Sequence, residues 1–365
     1  MNHQYSIHCA RTSEAFSALS DAWSNLYVES PFMTFQWLHS WWEKMISKDD
    51  LYIVTVRNPA GETELIAPFY LHHSRTRGKE IRFLGSGRIC SDYASFPFRC
   101  SENAQGATSA LGQWLIEQRD WDCINLEGAA TADPLVSCFL ESLYDAGHQI
   151  VEREEESFWR LELSESFDEF LATRSKKIRQ KIRKIERELV PATTIEFCKT
   201  PQDVSESLDH FAAMHIARHE AVHGHKGCFE NPSFRDFLNE TLVHFLDQER
   251  LWFGTTRFDG EVASSCIAIE SNQVLYYYQT SFDPAKSRLQ PGWLQNTMLI
   301  KRAIESGIRS IDFLRGNEDY KSKIGAIPIP HIRYRTVANR SSSIVRFQLW
   351  NTLSTLKHSL PFSLH

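Results

Sequence analysis

The chain has 365 residues, of which 42% are hydrophobic, 24% charged and 12% aromatic. That length and composition are those of a soluble globular protein with two domains. The formal net charge of −6 gives no overall attraction to nucleic acid or to an anionic membrane, so such a partner would require a local basic patch.

The eight cysteines stand singly along the sequence, and no CxxC pair is present. This spacing argues against a zinc ribbon or a dithiol redox site, and it predicts buried, reduced thiols of the kind found in the cytosol. The N-terminus lacks a basic region followed by an apolar core, and no run approaches the ~18 apolar residues of a membrane span. We therefore expect a cytoplasmic protein.

In the N-terminal half, apolar residues at helical spacing predict helices over 12–27 and 34–45. Strands are predicted over 51–57, 64–72 and 81–84, followed by a polar loop that includes Asp92 and Tyr93. A helix over 105–118, a strand over 123–127, a helix over 134–146 and a strand over 158–163 complete this half.

The C-terminal half begins with a basic helix over 167–189, a strand over 195–199 and helices over 204–223 and 231–248. A three-stranded antiparallel meander follows over 251–258, 261–270 and 273–278. The last predicted elements are a helix (293–306), a strand (311–314), a helix (318–324), a strand (331–337) and a weakly amphipathic segment (344–356).

The two halves share one order of elements: helices, a meander, a helix, a strand, a helix and a strand. This order predicts an α/β (α+β) protein whose mixed, mostly antiparallel sheets are flanked by helices. We predict an N-terminal domain over 1–164, a C-terminal domain over 165–338, and a tail or peripheral helix over 339–365.

The stretch from Ser310 to Gly325 concentrates polar groups where a short apolar strand turns into a helix. It places Asp312, Arg315, Glu318, Tyr320 and Lys321 within ten residues. A strand that ends in polar groups and leads into a helix is where α/β folds place their chemistry. The alternative is an ordinary turn in which Asp312 forms a structural ion pair with Arg315 or Lys321.

The loop before the helix at 293 has the composition of an anion site. Arg288 supplies a charge, Gly292 allows close approach, and the helix N-terminus behind them presents unpaired backbone N–H groups. Most Pro-Gly turns that precede helices bind no ligand. The loop alone is therefore weak evidence for an anion site.

The basic helix has three interpretations. Residues 174–187 hold eight Lys and Arg against one acidic residue, with an apolar face of isoleucines. The cations form a solvated face, or they contact phosphates of a nucleotide, coenzyme A or tRNA, or they touch the anionic inner membrane. Lys177, Arg179 and Arg183 are the predicted phosphate contacts.

His215 and His219 lie one helical turn apart, with His223 a further turn on. This spacing can bind a metal ion, but no HExxH motif or placed carboxylate accompanies it, so we predict no metal. A general base at His215 or His219, facing a cleft, is favoured over a metal site. Asp92 and Tyr93 line an acceptor pocket or form a turn, and the absence of a GxSxG elbow argues against a hydrolase.

Several motifs, taken together, resemble one family. They are Ser30-Pro-Phe, Trp41-Trp42, Ile66-Ala-Pro-Phe69, Phe83-Leu-Gly85, Ser91-Asp-Tyr93, the basic helix, His215, Pro291-Gly292 and Asp312-Phe-Leu-Arg-Gly-Asn-Glu-Asp-Tyr-Lys321. Spread over about residues 25–335, they resemble the GNAT-like acyltransferases of the CelD type, which are associated with bacterial cellulose and exopolysaccharide synthesis. These are related to the Fem-type tandem-GNAT transferases.

The resemblance implies two tandem GNAT-like domains that transfer an acyl group from acyl-CoA, with acetyl or longer chains, without a metal. The acceptor would be an amine or hydroxyl on a small molecule, a glycan or an amino-acid-like compound in polysaccharide or cell-envelope synthesis. Two alternatives stay open. One is a Fem-like aminoacyl-tRNA-dependent transferase, and the other is a degenerate binding module of a synthase complex at the inner membrane.

The resemblance also implies roles for the residues named above. The cofactor-binding residues are Arg288, Gln290, Gly292 and Trp293, and the substrate-binding residues are Asp92, Tyr93, Arg315, Glu318 and Lys321. The catalytic residues are Asp312, His215 and Tyr320, of which Tyr320 protonates the leaving group by analogy with a GNAT tyrosine.

Overall fold

The computed structural model describes residues 5–46, 48–87, 91–100 and 102–349. The chain forms two compact units, one made of residues 1–155 with 331–365 and the other of residues 156–330.

The elements up to residue 155 are β1 (Ser6–Ala10), α1 (Ser13–Ser17), α2 (Ser20–Ser24), α3 (Phe35–Met45), β2 (Asp50–Arg57), β3 (Thr63–Ser74), β4 (Gly78–Phe83), α4 (Ala104–Glu117), β5 (Cys123–Leu126), α5 (Pro134–Asp145) and β6 (Val151–Glu154).

The later elements are β7 (Phe158–Glu162), α6 (Phe167–Ala172), α7 (Lys176–Glu188), β8 (Thr193–Phe197), α8 (Pro201–His223), α9 (Pro232–Asp247), β9 (Leu251–Phe258), β10 (Glu261–Ser271), β11 (Val274–Phe282), α10 (Pro291–Glu305), β12 (Ser310–Arg315), α11 (Asp319–Ile324), β13 (Ile327–Ile329) and β14 (Ile332–Val337). Residues 341–349 are helical.

Each unit is built on a seven-stranded sheet. The first has the order β1-β2-β3-β4-β5-β14-β6, and the second, read from its other edge, has the order β8-β9-β10-β11-β12-β7-β13. In both sheets a meander is followed by one parallel pair, β4 with β5 and β11 with β12, and the other pairs are antiparallel. The predicted fold class, with two mostly antiparallel sheets flanked by helices, is confirmed.

The sixth strand of each sheet lies on the other side of the domain boundary predicted from the sequence. β7 falls within the predicted domain 1–164, but it pairs with β12 and β13 of the second unit. β14 falls within the predicted domain 165–338, but it pairs with β5 and β6 of the first unit. The second unit is therefore continuous in sequence, whereas the first is made of two segments.

One hydrophobic core of the second unit lies between its sheet and helices α6, α7, α10 and α11. Its buried side chains include Leu161, Phe170, Ile178, Ile182, Leu275, Tyr277, Leu299, Ile300, Ile311, Phe313 and Ile324. The isoleucines are the apolar face predicted for the basic helix, so α7 buries that face and exposes most of its cations.

The helix predicted over 167–189 is two helices with a break at 173–175. Ser166 caps the first through the N–H of Glu169, and Ser175 caps the second through the N–H of Ile178. The predicted helix over 12–27 is likewise two short helices, α1 and α2. The predicted peripheral segment 344–356 lies partly outside the described residues.

Candidate functional site

Strands β11 and β12 of the second unit pair over only three residues each and then part. The paired residues are Val274–Tyr276 with Ser310–Asp312. Beyond them, β11 carries a bulge, because Ala268 faces Tyr277 while its neighbour Ile267 faces Gln279. Bulges re-aim strands and are enriched next to active sites. The outcome is a gap in the sheet between residues 277–282 of β11 and the end of β12.

Helix α10 begins close in sequence to the end of β11 and presents an open N-terminus. Gln290 is its N-cap in the left-handed conformation, and its carbonyl accepts the N–H groups of Trp293 and Leu294 at 2.8 and 3.2 Å. The space beside Gly292 is open, since a Cβ atom built there meets nothing within 4 Å. The predicted cofactor residues thus surround a helix start that a ligand can approach closely.

A basic groove lies between α7 and this helix start. It has a volume of about 440 Å³ and is lined by Gln180, Lys181, Lys184, Ile185, Glu188, Leu189, Arg288, Leu289 and Gln290. The ammonium of Lys181 stands 4.1 Å from the centre of the Trp293 ring. Partial burial and the nearby charges of Lys323 and Lys177 lower the pKa of Lys181, because its ammonium lies close to other cations.

The predicted phosphate contacts Lys177, Arg179 and Arg183 do not line this groove. Lys177 and Arg183 are exposed, and Lys177 acts on the groove only through its charge on Lys181. Arg179 donates hydrogen bonds to the carbonyls of Ala172 and Arg174, so it stabilises the break between α6 and α7. The basic helix does face the predicted cofactor loop, but through Lys181 and Lys184.

Two tyrosines belong to the strands and helices that border the gap. The hydroxyl of buried Tyr277 accepts a hydrogen bond from the Gln295 side chain of α10 at 3.2 Å. Tyr320, on α11, packs edge-on against Phe313 with 5.7 Å between ring centres. Burial first, and then the charge of Glu318, raise the pKa of Tyr320, so its hydroxyl keeps its proton at neutral pH.

His215 is buried on α8, which packs on β11. Its Nε2 lies 3.8 Å from Sγ of Cys228, and the Gln279 side chain donates to the same sulfur at 3.5 Å. The His215 ring stacks on His219 with 4.2 Å between ring centres. Burial, and then the charges of His219 and Arg218, lower the pKa of His215 to about 4, so the imidazole is neutral at neutral pH.

Asp312 is wholly buried, and both of its carboxylate oxygens are occupied. Oδ2 accepts a hydrogen bond from Nε of Arg160 at 3.1 Å, and Oδ1 accepts one from the N–H of Leu314 at 2.8 Å. Arg160 is its partner in the register of β7 and β12. This geometry opposes the predicted catalytic role. It supports the structural alternative, with Arg160 in place of Arg315 or Lys321.

Lys321 is 2% exposed and holds the turn between β12 and α11. Its ammonium donates to the carbonyls of Leu314, Arg315 and Gly316 at 3.2, 2.8 and 3.1 Å, and it pairs with Glu318 at 2.9 Å. These four contacts occupy the cation, so the predicted contact of Lys321 with a substrate is not supported. Arg315 is half-buried at the end of β12, and Glu318 is exposed.

The predicted acceptor residues Asp92 and Tyr93 belong to the first unit. Asp92 is 1% exposed, and its carbonyl accepts a hydrogen bond from Ser30. Tyr93 adopts a positive φ of 59° and lines a cavity of about 440 Å³ with Tyr27, Phe96 and Phe98. The pair thus lies in an irregular loop that bends at Tyr93, and Tyr93 also borders a cavity.

The corresponding gap of the first unit is filled by its own chain. β4 and β5 pair over two residues each, Glu80–Ile81 with Cys123–Ile124. The loop that follows β4 then bridges the two strand ends, because Ser91 N–H donates to Gly85 and Ala94 N–H donates to Gly128. The second unit has a short connection at this place, so its gap is not bridged in this way.

The sequence reasoning did not single out several residues of this site. They are Lys181 and Lys184 in the groove, Tyr277 and Gln295 behind it, and Arg218, Cys228 and Gln279 beside His215. Helical spacing could have found Arg218, which lies three residues after His215 on one face of α8. No sequence signal connects Gln279 to Cys228, which lie 51 residues apart.

Residues 172–322, which make up most of the second unit, match the family model described as an acetyltransferase (GNAT) domain. The second unit therefore contains the segment that matches this model, and the gap and helix start described above lie inside that segment. A search of curated proteins found no match.

Solved structures share the fold over nearly the whole chain. FemX is 12% identical, with a TM-score of 0.62 over 90% of this chain and 96% of its own. A conserved protein from Bacteroides thetaiotaomicron VPI-5482 is 13% identical, with a TM-score of 0.55 over 90% and 100%. The C-terminal domain of an Agrobacterium fabrum protein named as a lysylphosphatidylglycerol synthetase is 12% identical, with a TM-score of 0.52 over 94% and 97%.

In the part of the chain that the structure describes, no three His, Cys, Asp or Glu side chains are placed to hold a metal ion. No helix in that part of the chain combines the length and the hydropathy needed to cross a bilayer.

Proposed function

We propose that the second unit transfers an acyl group from acyl-CoA to an amine or hydroxyl acceptor. The observation that carries this proposal is the gap between β11 and β12, which opens beside the start of α10 and the basic groove. The CelD-type resemblance adds a setting in polysaccharide or cell-envelope synthesis, with a glycan or an amino-acid-like acceptor.

The donor's phosphates would bind at the start of α10. The open approach to Gly292, the partial positive charge of the helix end and the cations Lys181, Lys184 and Arg288 suit a diphosphate. Lys181 lies beside two other cations, so an anion there relieves their repulsion. The acyl chain and its thioester would extend from this point into the gap.

The chemistry would be a direct transfer. The acceptor nitrogen or oxygen attacks the thioester carbonyl, a new C–N or C–O bond forms, and the C–S bond breaks. Tyr320 is suited to protonate the leaving thiolate, because its hydroxyl carries a proton at neutral pH, although the raised pKa makes it a weaker acid than a free tyrosine. No covalent enzyme intermediate is required.

The proton lost by the acceptor would pass to His215, directly or through water. The imidazole is neutral at physiological pH and can accept a proton, although its low pKa makes it a weak base. An acceptor that reaches the site as a free amine compensates for that weakness. Asp312 and Lys321 take no part in the transfer and hold the end of β12 in place.

A second candidate donor is an aminoacyl-tRNA, as the Fem-type resemblance suggests. The observation that favours it is the exposure of Lys176, Lys177 and Arg183, which lie on α7 outside the groove. Coenzyme A needs only the groove, whereas a polynucleotide backbone would engage the exposed cations as well.

Calorimetric titration with acetyl-CoA tests the first donor. We expect binding to the wild-type protein and a loss of about tenfold in affinity in the double variant Lys181→Gln, Lys184→Gln. The matched double variant Lys176→Gln, Arg183→Gln changes the charge of the same helix outside the groove and should keep the wild-type affinity.

Two results would overturn the acyl-CoA proposal. One is the absence of binding at millimolar acetyl-CoA, and the other is an equal loss of affinity in both double variants. Binding of charged tRNA that disappears on changing Lys176, Lys177 and Arg183 to Glu, in a protein that ignores acetyl-CoA, would favour the second donor.

A further inference from the structure

Arg218 is a half-buried cation on the helix that carries His215. It lies three residues after His215, so both side chains lie on one face of α8. Its guanidinium carbon stands 4.5 Å from the centre of the Phe282 ring, and Phe282 is the last residue of β11. Arg218 is therefore held against the part of β11 that borders the gap.

No carboxylate of the described residues lies within ion-pair distance of Arg218. Other arginines of the second unit have such partners: Arg160 pairs with Asp312, Arg235 with Asp209, and Arg257 with Glu196. Partial burial without a counter-ion is costly for a cation, and a bound anion removes that cost.

The groups on which the charge of Arg218 acts are neutral at neutral pH, although the charge of Glu318 also acts on one of them, Tyr320. Its charge acts on His215, Tyr277 and Tyr320, which belong to α8, β11 and α11. Tyr277 is hydrogen-bonded to Gln295, whose Oε1 is buried and has no hydrogen-bond partner in the described structure. A single cation among hydroxyls, an amide and an imidazole matches a ligand group with one negative charge.

We propose that Arg218 binds a carboxylate of the acceptor and thereby selects acceptors that carry an amine or hydroxyl together with a carboxylate. The planar guanidinium presents paired donors that match a carboxylate. A phosphomonoester carries nearly two charges and suits the several cations of the groove at α10 better than one arginine. This inference rests on the proposed acyl transfer, because it assigns the acceptor of that reaction.

Arg218 would act as a specificity-determining residue. With the carboxylate held beside Phe282, the acceptor's nucleophile points into the gap toward the thioester carbonyl. The new C–N or C–O bond then forms as the C–S bond breaks, with the proton of the nucleophile passing to a base and that of Tyr320 to the thiolate. Arg218 itself exchanges no proton, since its guanidinium stays charged.

The test measures binding of two matched pairs of acetylated compounds by calorimetry, with and without saturating coenzyme A. The pairs are N-acetylmuramic acid with N-acetylglucosamine, and N-acetylglycine with N-acetylglycinamide. The first pair differs by a lactyl ether that carries the carboxylate, and the second differs only by a carboxylate in place of an amide. We expect the carboxylate member of at least one pair to bind about ten- to a hundredfold more tightly. Arg218→Met should abolish this difference, and Arg218→Lys should keep part of it.

Arg302→Met is the matched control, because Arg302 also stands over a phenylalanine, 5.2 Å from the ring centre of Phe197. It should leave the carboxylate preference intact. Equal binding within both pairs, including no binding of any member, overturns the inference. So does a preference that survives in Arg218→Met with an unchanged thermal unfolding midpoint.

The experiments distinguish a failure of the proposed acyl transfer from a failure of the proposed role of Arg218. Coenzyme A binding without a carboxylate preference contradicts the role of Arg218 and leaves the acyl transfer standing. A carboxylate preference that depends on Arg218 in a protein that does not bind acetyl-CoA supports the anion site and contradicts the donor.

Discussion

Tyr320 is the side chain on which the proposed chemistry depends most. It combines a raised pKa with a position on α11 at the end of β12, and no hydrogen bond from its hydroxyl to the described residues is seen. Its proton is therefore retained at neutral pH and available to a leaving group. The sequence predicts that Tyr320 lies on a short helix after β12. It does not predict the burial of the side chain, which is the main cause of the raised pKa.

Tyr320→Phe should lower kcat about a hundredfold, because the thiolate then leaves without an acid. The affinity for acetyl-CoA should stay the same, since the phenyl ring keeps its packing against Phe313. Thiol release with the best amine acceptor gives kcat, and calorimetry gives the affinity. Tyr144→Phe, at a position 68% exposed in the first unit, is the control. A variant at Tyr320 that retains wild-type kcat would remove this residue from the mechanism.

At the scale of elements, the turn between β12 and α11 is stabilised by buried polar contacts. Lys321 bonds three successive carbonyls, and Gly316 adopts a φ of 116° beside it. A Cβ at Gly316 would lie 2.5 Å from an oxygen of Glu318 and 3.1 Å from the Lys321 ammonium. The turn therefore needs both the lysine and the glycine to fix where β12 leaves the sheet.

Lys321→Met should lower the free energy of unfolding by about 2–4 kcal/mol, because three carbonyls lose a shared donor inside the protein. Lys323→Met is the matched control on the same helix. Lys323 is exposed and pairs with Asp319 at 3.0 Å, so its loss should cost less than about 1 kcal/mol. Urea unfolding measures both, and equal stabilities of the two variants would contradict the structural role of Lys321.

Local patterns in the sequence predict most of the helices and strands. They do not predict which strands pair with each other over long distances in the chain. The apolar face of the basic helix and the meander of the second half are present as predicted. β6 was missed because all four of its residues are exposed and it shows no alternation of apolar and polar residues. The ion pair of Asp312 with Arg160 could not be predicted, because the two residues lie 152 positions apart in the sequence.

On the scale of the whole molecule, the two sheets repeat one arrangement, yet each takes its sixth strand from beyond the predicted boundary. The similar order of elements in the two halves indicated the repeat. The sequence does not predict that β7 joins the second sheet and β14 the first. Alternating apolar and polar residues show which face of a strand is buried, but they do not show which strand lies beside it. The catalytic roles, the donor and the acceptor remain proposals.

This division predicts how fragments of the chain behave. Residues 156–330 contain all seven strands of their sheet, so the fragment should fold and unfold cooperatively in urea. Residues 165–338 lack β7, so β13 loses its partner and β12 keeps only its short pairing with β11. This fragment also adds β14 without its partners β5 and β6. The second fragment should aggregate or unfold without a cooperative transition. Similar cooperative unfolding of both fragments would contradict the assignment of β7.

Amide hydrogen exchange of the full chain with and without acetyl-CoA tests the central claim most directly, because it reports both binding and its location. We expect slower exchange in residues 277–282 of β11, in the first turns of α10 and along the groove face of α7. The loop 91–98 of the first unit should exchange at an unchanged rate. Protection confined to that loop, or no change anywhere at saturating acetyl-CoA, would contradict the claim that the second unit holds the acyl donor.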